Sequence, residues 1–431
     1  MSLKVFPLKE YRVQFERCCR CSLCKFILQS CIKNKKYSPG CPSIERYKFH
    51  AYSAGGKIIM ADAMILGELK EYTPGFLDAV YKCQLCGLCD VSCKTNMAGM
   101  LEPLEILRAI RVKCVEDGQL IPEHTVVIEG LRKEDNMMQK PKVERLKWAE
   151  GLKLKDVTKK KAEVLFHAGC RFSYDEELWP VVRTAVDLLR KAGVDIGIHG
   201  EEVCCGGRPY TFGYLGELEK YSDHNIRAWK EAGVKTVVTP CAECYHAFKV
   251  LYPAIGRKVD IEVLHLTQYI DRLLKEGRIK FTKHVPMTVA YHDPCNLGRL
   301  ADPYQPWEGV EKKVFAQMVI TEPEKPIRFG TKGVYEEPRR ILKSIPGLTL
   351  IEFERTREYS WCCGAGGGVL EAYPDFAQWT AFERIKEARD IGVEAIVTAC
   401  PWCERNFKDT IKEKGEKIKI YDIVEIIEKA I

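Results

Sequence analysis

The chain has 431 residues, 46% of them apolar, 29% charged and 10% aromatic, and a mean hydropathy of −0.22, which excludes a single small scaffold and wholesale disorder. Its 67 Lys and Arg exceed its 60 Asp and Glu by a formal charge of +7, too thin a margin to argue for nucleic acid. The 21 cysteines are clumped, ten from Cys18 to Cys93 and ten from Cys170 to Cys403, the distribution of a cofactor-binding protein.

The first nineteen residues, MSLKVFPLKEYRVQFERCC, have no uninterrupted apolar core and no small-residue cleavage site, which predicts no secretory signal. A cytoplasmic location follows, where metal or redox chemistry explains the cysteines better than disulfides do. Residues 1–118 show helical periodicity, with helices predicted over 53–69 and 101–116 on either side of Cys83–Cys93. Residues 119–161 have weak periodicity and a Lys/Arg excess ending in Lys159, Lys160 and Lys161, and read as a solvated linker, with a docking face for an acidic partner the alternative. From residue 162 onward, β-branched runs alternate with amphipathic stretches. Strands are predicted over 164–166, 235–239, 287–291 and 395–398, and helices over 179–192 and 337–344. The longest apolar stretches, 58–66 and 395–399, fall far short of the ~20 residues that cross a bilayer, so membrane contact is expected only through a partner.

The C-terminal part repeats itself. Val164 to Cys170 (VLFHAGC) matches Val289 to Cys295 (VAYHDPC), Cys204-Cys205-Gly206-Gly207 matches Cys362-Cys363-Gly364-Ala365, and Val238 to Lys249 matches Val397 to Lys408 down to a shared Phe-Lys. The offset grows from 125 residues at Cys295 to 159 at Cys403, which places an inserted loop near 299–334. The expected architecture is α+β and multidomain: a mainly helical domain at 1–118, a linker at 119–161, and α/β domains at 162–286 and 287–431. Cys170, Cys241, Cys295 and Cys400 each follow a predicted strand and should gather at the carboxyl edge of the sheet, where such folds place ligands.

Cys83-x2-Cys86-x2-Cys89-x3-Cys93 has the spacing by which bacterial ferredoxins hold cubane [4Fe-4S] clusters, the fourth cysteine serving the neighbouring cluster. Cys18-x2-Cys21-x2-Cys24 supplies a second triplet. One cluster is therefore assigned to Cys18, Cys21, Cys24 and Cys93, the other to Cys41, Cys83, Cys86 and Cys89. Cys41 is preferred because Pro42 follows it, with Cys31 the alternative. Zinc wants two separated pairs of ligands, which this spacing does not offer.

Each repeat carries five cysteines: Cys170, Cys204, Cys205, Cys241 and Cys244, then Cys295, Cys362, Cys363, Cys400 and Cys403. Five thiolates exceed what zinc takes and point to a cluster with more sulfur ligation than a plain cubane. Gly206, Gly207, Gly364 and Gly366 follow the Cys-Cys pairs and are expected to bring backbone N–H groups close to sulfur. The sequence from Gly364 to Val369 fails as a dinucleotide loop, since Val369 stands where Gly or Ala is needed.

These doubled motifs resemble the cysteine-rich CCG domains of heterodisulfide reductase, and the preceding ferredoxin module resembles its D-type subunit. Similar architecture occurs in iron–sulfur subunits of glycolate oxidase, anaerobic glycerol-3-phosphate dehydrogenase and membrane complexes of sulfate reducers. The resemblance implies two cubane clusters and two noncubane [4Fe-4S] clusters, one per quintet, facing a site that reduces a disulfide or oxidises thiols. The alternative is a pure relay between redox partners. Implied partners are a flavoprotein, a ferredoxin or a membrane cytochrome or quinone subunit, together with a small disulfide or thiol, in an anaerobic metabolism. The long Cys24–Cys41 spacing and the insertion after Arg299 depart from the methanogen pattern and point to another pathway. His167 and His292, each three residues before a first cysteine, are candidates for a hydrogen bond or proton near the clusters, or plain buried histidines. Trp361 and Trp402 adjoin ligands and are expected to exclude water. Cys114 reads as core packing and Cys19 as a bystander.

Overall fold

The computed structural model describes residues 7–97, 99, 101–303, 307–314 and 318–431. Its strands, in chain order, are β1 (Lys155–Asp156), β2 (Val164–Phe166), β3 (Ile196–Ile198), β4 (Thr236–Thr239), β5 (Glu262–His265), β6 (Met287–Tyr291), β7 (Val310–Val314), β8 (Met318–Glu322), β9 (Leu348–Leu350), β10 (Ala395–Thr398) and β11 (Lys419–Asp422). One parallel sheet runs β1-β3-β2-β4-β5 and another β11-β10-β6-β9. Apart from β1 the two orders are the same, so the repeated sequence is a repeated topology. Buried along their length, β2 and β10 have the near-continuous apolar character of parallel strands covered on both faces.

Helices cover these faces and tie the copies together. Trp179–Lys191 buries Val181, Val182, Ala185, Val186, Leu188 and Leu189 and packs on Ile423–Ala430, while Leu266–Lys275 packs on Glu336–Lys343. Arg340 and Asp271 form an ion pair across the second contact at 2.7 Å.

The N-terminal part is helical, as predicted: Arg12–Arg17, Ala54–Ile65, Pro74–Tyr81, Leu88–Met97 and Pro103–Glu116. Ser53 and Thr73 cap two of these by accepting from the N–H groups of Gly56 (3.0 Å) and Phe76 (3.2 Å). Phe15, Ile58, Phe76, Ile106, Ile110 and Cys114 share one buried core.

Residues 119–161, read as a linker, are packed. They hold the helix Pro122–Glu134, buried Trp148 and Arg145, and β1 on the edge of the first sheet. Their Lys and Arg obscured the helical spacing of Val127, Ile128 and Leu131, all buried. The insertion near 299–334 carries an antiparallel hairpin, β7 with β8. Its residues 304–306 and 315–317, and residues 1–6 of the N-terminal stretch, lie outside the described residues. No helix among the described residues is long and apolar enough to cross a membrane.

Arg111 joins the three parts. Fully buried on Pro103–Glu116, it donates to the carbonyls of Val80 (3.1 Å), Tyr81 (3.2 Å) and Cys83 (2.6 Å), of Thr211 after the first Cys-Cys pair (2.7 Å), and of Gly367 after the second (2.5 Å). Beside it His124 stacks on Phe212 with ring centroids 4.1 Å apart and bonds the Gly368 carbonyl through Nε2 at 2.9 Å.

Replacing Arg111 by Met removes the donor that five carbonyls share, and the expected cost is about 3–5 kcal/mol in denaturant unfolding; a loss under about 1 kcal/mol would show that the junction does not rest on this side chain. Burial holds His124 neutral, its pKa pushed down from 6.5 to about 3. In the unfolded chain it binds a proton below about 6.5, so stability falls with pH between that value and about 3. Replacing His124 with Gln should flatten that slope by up to ~1.4 kcal/mol per pH unit, as read from unfolding midpoints between pH 7 and 5. An unchanged slope would mean that the imidazole is not kept neutral.

Candidate metal centres

Strand ends position the sulfur. Cys170 lies in the helical turn Gly169–Tyr174 after β2, and Cys241 caps Ala242–His246 after β4. Cys244, three residues on, faces the same side as Cys241. The Cys204-Cys205 pair precedes the helix Gly207–Phe212. The second copy repeats this, with Cys295 after β6 and Cys400 capping Pro401–Lys414 after β10.

The thiols touch in an unbroken series. Cys170 contacts Cys204, Cys204 contacts Cys205, Cys205 contacts Cys244, and Cys244 contacts Cys241. In the second copy the order is Cys295, Cys362, Cys363, Cys403, Cys400. Cys241 touches Cys400, which joins the copies, and Cys86 of the helical part touches Cys362. The neighbouring thiols Cys204 and Cys244 bring Cys205 down to about 6, and Cys362 does the same for Cys86.

The donor set fits an iron–sulfur group. Nine of these ten thiols are buried and Cys295 is half-buried; thiolates at such depth need a cation. Gly169, at φ +78, leaves room that a Cβ would fill, since that Cβ would lie 2.8 Å from the Cys244 sulfur. Gly206 and Gly364, at φ +74 and +92, donate their N–H groups to the sulfurs of Cys204 and Cys362, both at 3.3 Å. Gly207 lies beside the Cys205 sulfur, whereas Gly366 abuts the Gln84 carbonyl instead of sulfur. A Cys170 contact escaped the sequence reading: Arg145 Nη2 lies 3.7 Å from its sulfur, and the linker reading of 119–161 gave no reason to look there.

In the helical part, Cys18, Cys21, Cys24 and Cys93 line one pocket. Cys41, Cys83, Cys86 and Cys89 form a second group, in which burial pushes Cys41 up to about 12 and Cys83 and Cys86 add to the effect. Cys31 is exposed and lies by Ser30 and Tyr359. Cys19 is exposed, and Cys114 is in the helical core.

The two histidines hold matching places with different partners. His167 Nδ1 faces Glu202 at 3.5 Å, while His292 Nδ1 accepts from Arg384 Nε at 3.3 Å. Each ring meets the phenylalanine of its shared Phe-Lys edge-on at 4.9 Å, Phe248 or Phe407. A ring nitrogen of His292 lies within 4.8 Å of the Cys363 and Cys403 sulfurs. Burial lowers the pKa of both, that of His167 to about 4. Trp361 and Trp402 are buried, under Arg355 at 4.2 Å and Arg208 at 3.8 Å. Arg208 bridges the copies, pairing with Glu371 at 2.7 Å and Glu243 at 3.4 Å. Burial raises Glu243 to about 7. Sequence reading gives no sign of this pair, because Glu243 sits inside the Cys241-x2-Cys244 motif and its partners are distant in the chain.

The CCG family, a cysteine-rich domain, matches residues 164–249 and 327–408. The chain is 29% identical over 394 residues, 90% of this chain and 85% of the relative, to the D-type subunit of dihydromethanophenazine:CoB–CoM heterodisulfide reductase from Methanosarcina barkeri. It is 27% identical over 368 residues, 84% of this chain and 64% of the relative, to the B-type subunit of fumarate reductase (CoM/CoB) from Methanothermobacter marburgensis. With EtfAB:quinone oxidoreductase of Syntrophomonas wolfei it is 32% identical over 281 residues, 63% of this chain and 35% of that one. Oxidoreductases and their subunits are thus the common thread. With two matches to the CCG cysteine-rich domain and similarity along 90% of its length, the chain resembles the D-type subunit of heterodisulfide reductase.

Proposed function

We propose that the chain is the iron–sulfur subunit of a heterodisulfide reductase-like complex. Cys18, Cys21, Cys24 and Cys93 hold one cubane cluster and Cys41, Cys83, Cys86 and Cys89 the other. Each CCG quintet holds a noncubane [4Fe-4S] cluster. When bound, these groups supply one-electron steps between the cubane pair and the noncubane pair, where a disulfide takes two electrons and two protons to give two thiols, or the reverse. The observation that carries this reading is the series of sulfur contacts from Cys86 through Cys362 and Cys400 to Cys241 and Cys170. Around it the protein donates N–H groups to sulfur from Gly206, Gly364 and Arg145 and excludes water with Trp361 and Trp402. The placement of Cys41 beside Cys83 and Cys86, with Cys31 exposed, supports Cys41 as the ligand. A flavoprotein, a ferredoxin or a membrane cytochrome or quinone subunit completes the reaction as partner.

One observation favours the relay reading: the space between the quintets is taken up by Cys241 against Cys400, both buried. Anaerobic purification, metal analysis and EPR during titration with candidate disulfides separate the two. The proposal expects roughly 16 iron per chain for four [4Fe-4S] clusters, and a paramagnetic signal that appears only with a disulfide and disappears in Cys400→Ser. Signals indifferent to every disulfide favour the relay, and a colourless zinc protein overturns both.

A further inference from the structure

The basic excess of the chain falls in one segment. Residues 7–50 contain ten Lys and Arg against three Asp and Glu, a local charge of +7 that equals the net +7 of the whole chain, so the remainder sums to neutral. Arg17, Lys36 and Lys48 are paired with Glu311, Asp390 and Glu45. Among the described residues, Lys9, Arg12, Arg20, Lys25, Lys33 and Lys35 have no acidic partner.

Three of these six surround the first cysteine group. Arg20 lines the pocket of Cys18, Cys21, Cys24 and Cys93, Lys25 follows Cys24 and acts on its charge, and Arg12 starts the helix that delivers Cys18. Here the sulfur reaches the surface, for Cys19 and Cys21 are exposed. Large apolar side chains stand out beside the charges: Phe49 is 68% exposed, Val13 49% and Phe26 45%. Phe49 adjoins His50, whose ring and the Cys24 sulfur both approach Gly55.

We propose that this rim is the docking surface for an acidic redox protein that delivers electrons to the Cys18/Cys21/Cys24/Cys93 group. Exposed apolar side chains among charges of one sign have the make-up of a transient interface, and the charges steer an oppositely charged partner. An anionic lipid surface attracts the same residues but brings no redox centre to the exposed sulfur. The inference rests on the cubane assignment for that group and adds the chemistry of its partner.

The test uses the full chain, prepared anaerobically, and two reductants: flavodoxin hydroquinone, which is acidic and gives one electron to become the semiquinone, and the methyl viologen radical, which needs no docking. Reduction by flavodoxin should slow at least about tenfold between low and high salt. It should slow several-fold at low salt in K9E/R12E with iron content and the viologen rate unchanged, and about tenfold in R20E/K25E, well beyond any change in that variant's viologen rate. Flavodoxin reduction indifferent to salt and to both variants overturns the docking surface. So does charge-dependent binding to phosphatidylglycerol vesicles while the flavodoxin rate stays constant. Failure of the cubane assignment shows separately, as a wild-type protein that lacks this cluster's EPR signal and is not reduced at it by viologen.

Discussion

Burying thiols where two parallel sheets meet is the constraint on which the rest of this molecule depends. In each copy a strand ends on a cysteine loop, and the sheets lie so that Cys241 of one copy touches Cys400 of the other. Ten sulfurs packed this way cannot carry negative charge without a compensating cation. The fold accordingly sets polar groups and space against these sulfurs: N–H donors from Gly206 and Gly364, the Gly169 gap, and Arg145 against Cys170. The helical part contributes Cys86 at one end of the series, and Arg111 holds the backbone around it in register with both copies.

Duplication did not leave two equivalent sites. His167 Nδ1 faces the Glu202 carboxylate at 3.5 Å, whereas Arg384 can only donate, so His292 Nδ1 is an acceptor. The two imidazoles thus face partners of opposite charge. Gly169, which gives sulfur room in the first copy, corresponds to Pro294 in the second. Both copies pack on the helical part, but it is the second-copy quintet that meets a thiol of it, Cys362 against Cys86, with Arg299 donating to the Cys86 carbonyl at 2.6 Å.

Much of this was legible in the sequence because ligand spacing is a local property. The strands over 164–166, 287–291 and 395–398 coincide with β2, β6 and β10, since buried parallel strands are short unbroken apolar runs. Other features depend on what the chain folds against. Residues 119–161 look solvated because Lys159, Lys160 and Lys161 dominate their composition, yet Trp148, Arg145 and Leu131 are buried in contacts made with distant segments. The hairpin of β7 and β8 has an exposed, charged strand, VEKKV, whose pattern carries no core face to read. Gly366 and Gly367 look like sulfur-facing glycines but lie against the backbone of Cys83 and Gln84; only the meeting of the two parts explains them. The basic rim around Cys18 is hidden in a whole-chain charge of +7 and emerges only when that charge is placed on the structure.

The position of iron tests the cofactor assignment most directly. Anomalous diffraction at the iron edge from anaerobically grown crystals should show four separate iron centres in one file: within Cys18, Cys21, Cys24 and Cys93; within Cys41, Cys83, Cys86 and Cys89; then within the second-copy quintet and finally the first. Iron absent from either quintet, or a single tetrahedral zinc in its place, would contradict it.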